Sequence, residues 1–541
     1  MNLKTADFNF KKLAGFADWK LLAFLVLFLD VKLVVKVAAI VLIYLAQFDF
    51  KFGFKFKNSR LPLFYLLVIG IAILNGLLYK SYFNIRYDLV FLSGISFWVL
   101  CILAIHQVKL SVEKNTTEAL HNTILIFFAL NAAVSGLNLL RIIAEIHTLN
   151  PYLYQGQNQK YFIGTGDFIK GLTFDVSITN AVLNALGVIY FLIRKNALMQ
   201  LICMVALLLA GSNSVNLMLT GVLALLFLFN STKNQKSLIA ICIVFMAVFM
   251  INVSPQNSNY SANAFNKIFH RSDHPIILVS THTTPILQAA AILPKSDEEK
   301  RKIAHHYLDS VSLIMAKTRK VNTYFYPYKH VIPPPNLDST PYWEAPDTAA
   351  MRRVLLQFIA VNNTDLPISA AGNKPRIPGK IIALQQTIGF LLQHPFKMLT
   401  GDGLGNFSSK IAFKATNLGF NGSYLAKYVY INKDFLTHHL DIYLHFFSGE
   451  PGLHSILNNP NSVYYQLLGE YGVIGLLGFL IFYLWYFLRH YNKLSYGIPI
   501  LGFVLGIFFL EYWFEQLSII VFVELLLLVN IKEADHKIIT T

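Results

Sequence analysis

Two short stretches of this chain hold the residue types best suited to chemistry. The first reads His394-Pro395-Phe396-Lys397-Met398-Leu399-Thr400-Gly401-Asp402-Gly403-Leu404-Gly405-Asn406-Phe407. Its alternating glycines allow positive φ and close backbone approach. A turn of this kind can offer N–H groups to a phosphate or to sugar hydroxyls, with Gly403, Gly405 and Asn406 as the binding residues. The same pattern also suits a tight structural turn. The second stretch runs polar sequence straight into an apolar segment: Asn459-Pro460-Asn461-Ser462-Val463-Tyr464-Tyr465-Gln466-Leu467-Leu468-Gly469-Glu470-Tyr471-Gly472-Val473-Ile474-Gly475. Arginine adds a further capability, because its planar fork pairs two phosphate oxygens and keeps its charge. Arg141, at the end of an apolar span, and Arg352 and Arg353, on a predicted helix over 349–361, are the candidates for that role.

The elements that must carry these residues are membrane helices. Apolar residues make up 55% of the 541 and charged residues 14%, against roughly 45–50% and about 25% in soluble domains. Apolar runs of about 15 to 25 residues are long enough to cross a hydrocarbon core of about 30 Å. Candidate spans fall near 14–30, 33–49, 61–79, 88–106, 121–140, 172–193, 197–210, 215–230, 237–252, 467–488, 497–512 and 515–531. The first is interrupted by Asp30, Lys32 and Lys36. The fold class is therefore all-α and polytopic, with spans one to nine in residues 1–252, a large loop over 253–466, and spans ten to twelve in 467–541. With the N-terminus in the cytoplasm, the inner segments hold 18 lysines and arginines and the short outer loops 7. That bias favours both termini inside and the large loop outside. No small-residue cleavage site follows the first apolar run, so the first span is expected to stay as an anchor.

The loop carries 20 basic and 13 acidic residues. A basic surface just outside a bilayer suits an anionic ligand such as a lipid diphosphate. Pro294 with Ser296-Asp297-Glu298-Glu299 makes a helix start, followed by helix candidates over 349–361 and 379–393, the last stopped by Pro395. Pro333, Pro334 and Pro335 make an extended strap between the first two. Cys101, Cys203 and Cys242 all lie in apolar spans, so no disulfide framework is expected. The pairs His305-His306 and His438-His439 lack metal-ligand spacing. Asn131, Asn138, Asp175, Asn180, Asn184, Glu511, Glu515 and Glu524 are polar residues in or beside spans, and they suit either a functional cavity or helix–helix hydrogen bonding.

The order and position of the two stretches resemble the signatures of the bacterial O-antigen ligase/polymerase family, multi-spanning glycosyltransferases that move lipid-linked glycans outside the inner membrane. The family pattern is His, then Asn, Ser or Gln, nine residues, and Gly-x-x-Gly. Here Asn461-Ser462 precedes Gly472-Val473-Ile474-Gly475 at that spacing, with Asn461 where the family has its general-base histidine. A neutral amide cannot accept that proton, although it can orient a hydroxyl. His454 is the nearest histidine before the signature and the expected substitute; His438, His439 and His445 are the other candidates. The family's Ser-Arg pair is also missing from the matching region, Gly211-Ser212-Asn213-Ser214; Arg271 and Arg376 join Arg352 and Arg353 as possible replacements. The resemblance implies a GT-C-like architecture and metal-independent transfer of a glycan from undecaprenyl diphosphate to an acceptor hydroxyl. The acceptor would be lipid A-core, another glycan or a protein. The resemblance implies no cofactor, nucleotide or nucleic acid partner. A lipid-linked glycan flippase or other transporter is the alternative of a different class.

Overall fold

The computed structural model describes residues 15–256, 378–416, 424–439, 442 and 458–540, apart from short interruptions. Among them every regular element is helical. Helices α1 (Trp19–Phe28), α2 (Leu33–Gln47) and α3 (Phe64–Leu78) precede two long ones, α4 (Ile85–Lys114) and α5 (Thr117–Ile146). The turn between the long helices is set by caps: Asn115 closes α4, and the Thr116 side chain accepts from the N–H of Ala119 to open α5, satisfying end groups that have no partner within a helix. Then come α6 (Ser177–Ile193), α7 (Ala197–Leu209), α8 (Asn213–Phe229) and α9 (Lys233–Val248). The loop contributes α10 (Gly379–Gln393), α11 (Pro395–Thr400), α12 (Lys410–Ala415) and α13 (Lys433–His438). After it come α14 (Val463–Gly478), joined through a π-helical turn to α15 (Trp485–Leu488), then α16 (Gly497–Ile507), α17 (Trp513–Gln516) and α18 (Ser518–Thr540).

Each of the twelve apolar windows holds a helix, but among the described residues four helices are long and apolar enough to cross a membrane: Ile85–Lys114, Thr117–Ile146, Lys233–Val253 and Val463–Leu488. Seven more apolar helices have between 10 and 17 residues. The faces that α8 and α9 turn outward, among them Leu217, Leu225, Leu228, Val244 and Val248, are apolar, as a lipid-facing surface requires.

The bundle has two polar ends. At one, Glu533 binds His121 and Arg194, the latter at 2.6 Å, while Asn115 donates to Asp18 at 2.7 Å. At the other lie the C-terminal end of α3, the N-terminal ends of α4 and α14, and the segment from Phe508 to Gln516; the glycine-rich stretch packs there. Between them an aromatic core stacks Phe64, Tyr65, Trp98, Phe479, Tyr483 and Phe514 at ring separations of 5.2 to 6.3 Å. Such offset and edge contacts fill a helix interface with favourable ring geometry. Trp98 donates its indole N–H to the Tyr471 hydroxyl at 2.8 Å.

Candidate functional site

Pro395 ends α10 and opens α11, where its missing N–H and fixed φ cost nothing. The helix stops at Gly401, which has φ 81°. Gly403 and Gly405 follow with φ 96° and 72°, so the chain curls as its spacing predicts. It curls around a carboxylate. Glu470, fully buried in α14, accepts the N–H of Gly405 at 2.9 Å on one oxygen, and those of Phe407 and Ser409 at 3.3 and 3.1 Å on the other. The N–H groups of Asp402 and Gly403 reach the carbonyls of Gly469 and Glu470 at 2.9 and 3.1 Å.

Those two carbonyls are available because α14 is broken at Gly472, whose backbone (φ 66°, ψ −165°) is not helical. An unbroken helix would have used them on residues 473 and 474. The approach at the break is close. A Cβ on Gly472 would lie 2.4 Å from the Leu399 carbonyl, and one on Gly401 would lie 2.2 Å from the carbonyl carbon of Glu470. The two sequence signatures are therefore one interlocked unit.

Side chains from the bundle hold its rim. Asn75 donates to the Thr400 carbonyl at 2.5 Å, Tyr79 to that of Gly401 at 3.1 Å and Tyr87 to that of Leu404 at 3.1 Å. Asn406 donates to the Asp402 carbonyl and accepts from Tyr430, both at 2.9 Å. The N–H groups of Gly403 and Gly405 thus serve the unit itself. Lys397 bridges Asp402 and Asp434 at 2.5 Å each. Burial works against its charge, but the two carboxylates outweigh burial and hold its pKa above the usual lysine value.

A second cluster forms around Asn461. Its amide donates to one oxygen of Glu511 at 2.9 Å, and that of Asn459 donates to the other at 2.8 Å. Asn459 also accepts the N–H of Asn461 at 2.9 Å, which fixes the turn. Lys380, at the start of α10, reaches the carbonyls of Asn461 at 2.6 Å and Leu510 at 3.3 Å. Burial pushes the Lys380 ammonium down to about 7, with Glu511 acting in the opposite direction. Beside this cluster Gln466 donates to Glu515 at 2.7 Å. Glycine is required where α10 docks, because a Cβ on Gly379 would lie 2.5 Å from the Asn458 carbonyl.

Arg141 is exposed in the last turns of α5, whose main packing partners are α1, α7, α18 and the short turns at 151–173. No contact between Arg141 and either cluster is present among the described residues. His454, Arg352 and Arg353 lie outside the described residues, as do His445, Arg271, Arg376, Asp175, the strap at 333–335 and the helix candidates at 296–314 and 349–361. His439 is buried and stacks on Phe407 at 5.1 Å, and burial, helped by His438, pushes its pKa down to about 3.

The asparagines of the spans bind one another and a turn. Asn131 donates to Asn180 at 2.9 Å, and Asn138 accepts the N–H groups of Lys170 and Gly171 at 3.0 and 3.1 Å. The three cysteines are buried. No group of three or more His, Cys, Asp or Glu residues able to hold a metal ion occurs among the described residues.

Two functional candidates escape a reading of the sequence: Glu470 as the centre of the glycine loop, and Lys380 as a buried amine. Glu470 had a signal, since a carboxylate inside an apolar helix requires partners. Lys380 had none, because it begins an amphipathic helix far along the chain from its contacts. Comparison with protein-family models, curated proteins and solved structures finds no match to this chain.

Proposed function

We propose that this chain is a glycosyltransferase of the O-antigen ligase/polymerase type, which transfers a glycan from undecaprenyl diphosphate to an acceptor hydroxyl at the periplasmic face of the bacterial inner membrane. The observation that carries the reading is the interlock. Two stretches resembling the family's signatures, and some sixty residues apart, close on each other through the N–H groups of 402, 403, 405, 407 and 409. A polar cluster centred on Asn461 stands beside them at the same end of an apolar bundle. Donor contacts fall to Arg141, Arg352 and Arg353, because arginine stabilises the charge that grows on a departing diphosphate. Lipid A-core, a second lipid-linked glycan and a protein hydroxyl are the three acceptor classes. The 18-to-7 distribution of basic residues supports cytoplasmic termini and a periplasmic large loop.

The test is to inactivate the gene and run the cell's surface glycans on a gel. Loss of all long glycan from lipid A-core, with lipid-linked polymer accumulating, identifies a ligase. Core bearing a single repeat identifies a polymerase. Unchanged lipopolysaccharide with an altered glycoprotein identifies a protein O-oligosaccharyltransferase. Loss of surface glycan with the lipid-linked repeat trapped on the cytoplasmic leaflet rejects the proposal in favour of a flippase, and no change in any of the three rejects both.

A further inference from the structure

The position at which the second signature departs from its family is occupied by an amide, and that amide grips a carboxylate. Each oxygen of Glu511 accepts one hydrogen bond, from Asn459 at 2.8 Å and from Asn461 at 2.9 Å. A carboxylate has about four lone-pair sites, so each oxygen keeps capacity for one more donor. Exposure differs within the cluster in a useful way. Asn459 and Lys380 are buried, at 4% and 1% exposed, whereas Glu511 and Asn461 are only half-buried. The buried members form a wall, and the carboxylate and Asn461 are the members that a solute can reach.

The wall is rigid. Lys380 ties the Asn461 and Leu510 carbonyls together, the Gly379 N–H donates to Asn458 at 2.9 Å, and Tyr465 donates to the Lys380 carbonyl at 2.9 Å. The N–H of Val463 binds the Phe508 carbonyl at 2.9 Å, which holds the segment carrying Glu511 against the start of α14. A carboxylate locked by its neighbours, with lone pairs left over and part of its surface exposed, has the geometry of a group poised to take a proton.

We propose that Glu511 is the general base of the transfer, and that Asn459, Asn461 and Lys380 are the residues that position it. The inference rests on the glycosyltransferase reading above. In the step, the acceptor hydroxyl oxygen forms a bond to the anomeric carbon of the donor. The bond from that carbon to the diphosphate oxygen breaks, and the diphosphate leaves with the electron pair. The hydroxyl proton passes to the Glu511 carboxylate, which later returns it to water.

The experiment uses the full-length protein in detergent micelles. Donor and acceptors are the lipid-diphosphate-linked glycan and the membranes of the strain that lacks the gene, and the readout is acceptor-dependent release of lipid diphosphate. Glu511→Gln should lower kcat by about 10²–10⁴-fold, the usual worth of a general base, and leave the donor KM nearly unchanged. Glu511→Asp keeps the charge but sets it back by one methylene. It should lose about ten- to a hundredfold, as a misplaced catalytic group does, and stay above the Gln variant. If Gln cannot be purified folded, the Asp variant decides alone: the stated loss at matched folded protein supports the assignment, and a wild-type rate overturns it. A Gln variant with wild-type turnover also overturns it, as does a large loss in His454→Ala with none in Glu511→Gln. No release by the wild-type protein sinks the glycosyltransferase reading itself.

Discussion

At the scale of single residues, the most demanding side chain is Glu470. Its carboxylate is the acceptor for three backbone N–H groups, and no water reaches it. Removing it leaves those donors buried without partners, at a cost of about 1–3 kcal/mol each. Glu470→Ala should therefore fold poorly, with most of the protein aggregating during purification. Glu470→Gln should be intermediate. Its amide oxygen can still accept from Phe407 and Ser409, but its amide nitrogen faces the Gly405 N–H as donor against donor, which costs about 1–3 kcal/mol. Thermal midpoints in detergent micelles, ranked wild type, Gln, Ala, check this. Equal midpoints for the three would mean that the loop closes without the carboxylate. The sequence announces Glu470 only as a charge in an apolar helix. It does not announce which backbone groups answer that charge, because they come from a segment 61 to 65 residues earlier.

At the scale of elements, the decisive device is the break in α14. The bend of the glycine-rich stretch and the helix boundary at Pro395 are legible in sequence, since glycine and proline act locally. The break at Gly472 is not, because the same glycine suits close helix packing in a continuous span. Structure separates the two uses: Gly472 has positive φ and abuts Leu399, whereas Gly70 in α3 has open space around its Cβ position. Gly472→Ala and Gly401→Ala should each lose most of the folded protein, because a backbone of this kind costs about 1–3 kcal/mol for a residue with a Cβ and the clash adds to it. Gly70→Ala should be neutral or slightly stabilising, as expected for glycine in a helix interior. Size-exclusion profiles of the three variants provide the comparison. A monodisperse Gly472→Ala protein would show that the junction yields.

At the scale of the whole molecule, two polar clusters stand at the two ends of an apolar bundle, and hydropathy alone made the helices legible. Hydropathy could not tell which helices are long: among the described residues four meet the length and composition of a crossing, and others are shorter than their apolar windows suggest. Nor could it bring Lys380 to Asn461, since that contact spans 81 residues and depends on how α10 docks. The orientation proposed above gives a direct check. Lys433, exposed on α13, and Lys233, exposed at the start of α9, lie on opposite sides of the membrane in that topology. The native cysteines are buried, so background labelling is low. Lys433→Cys should react with an impermeant maleimide on intact spheroplasts, and Lys233→Cys only after lysis. The reverse pattern would place the site in the cytoplasm and remove the basis for a periplasmic transferase.

The interlock also sets an order of manufacture. The N–H groups of Gly405, Phe407 and Ser409 leave the ribosome 65, 63 and 61 residues ahead of the carboxylate that receives them. Until α14 emerges and enters the bilayer, water is the available partner for those groups, and backbone donors do not go into a dry interior unpaired. The glycine loop can therefore close only once the tenth apolar segment is seated. In a nascent chain it acts as a latch, shut by the arrival of downstream sequence, which ties closure of the glycine loop to the seating of α14.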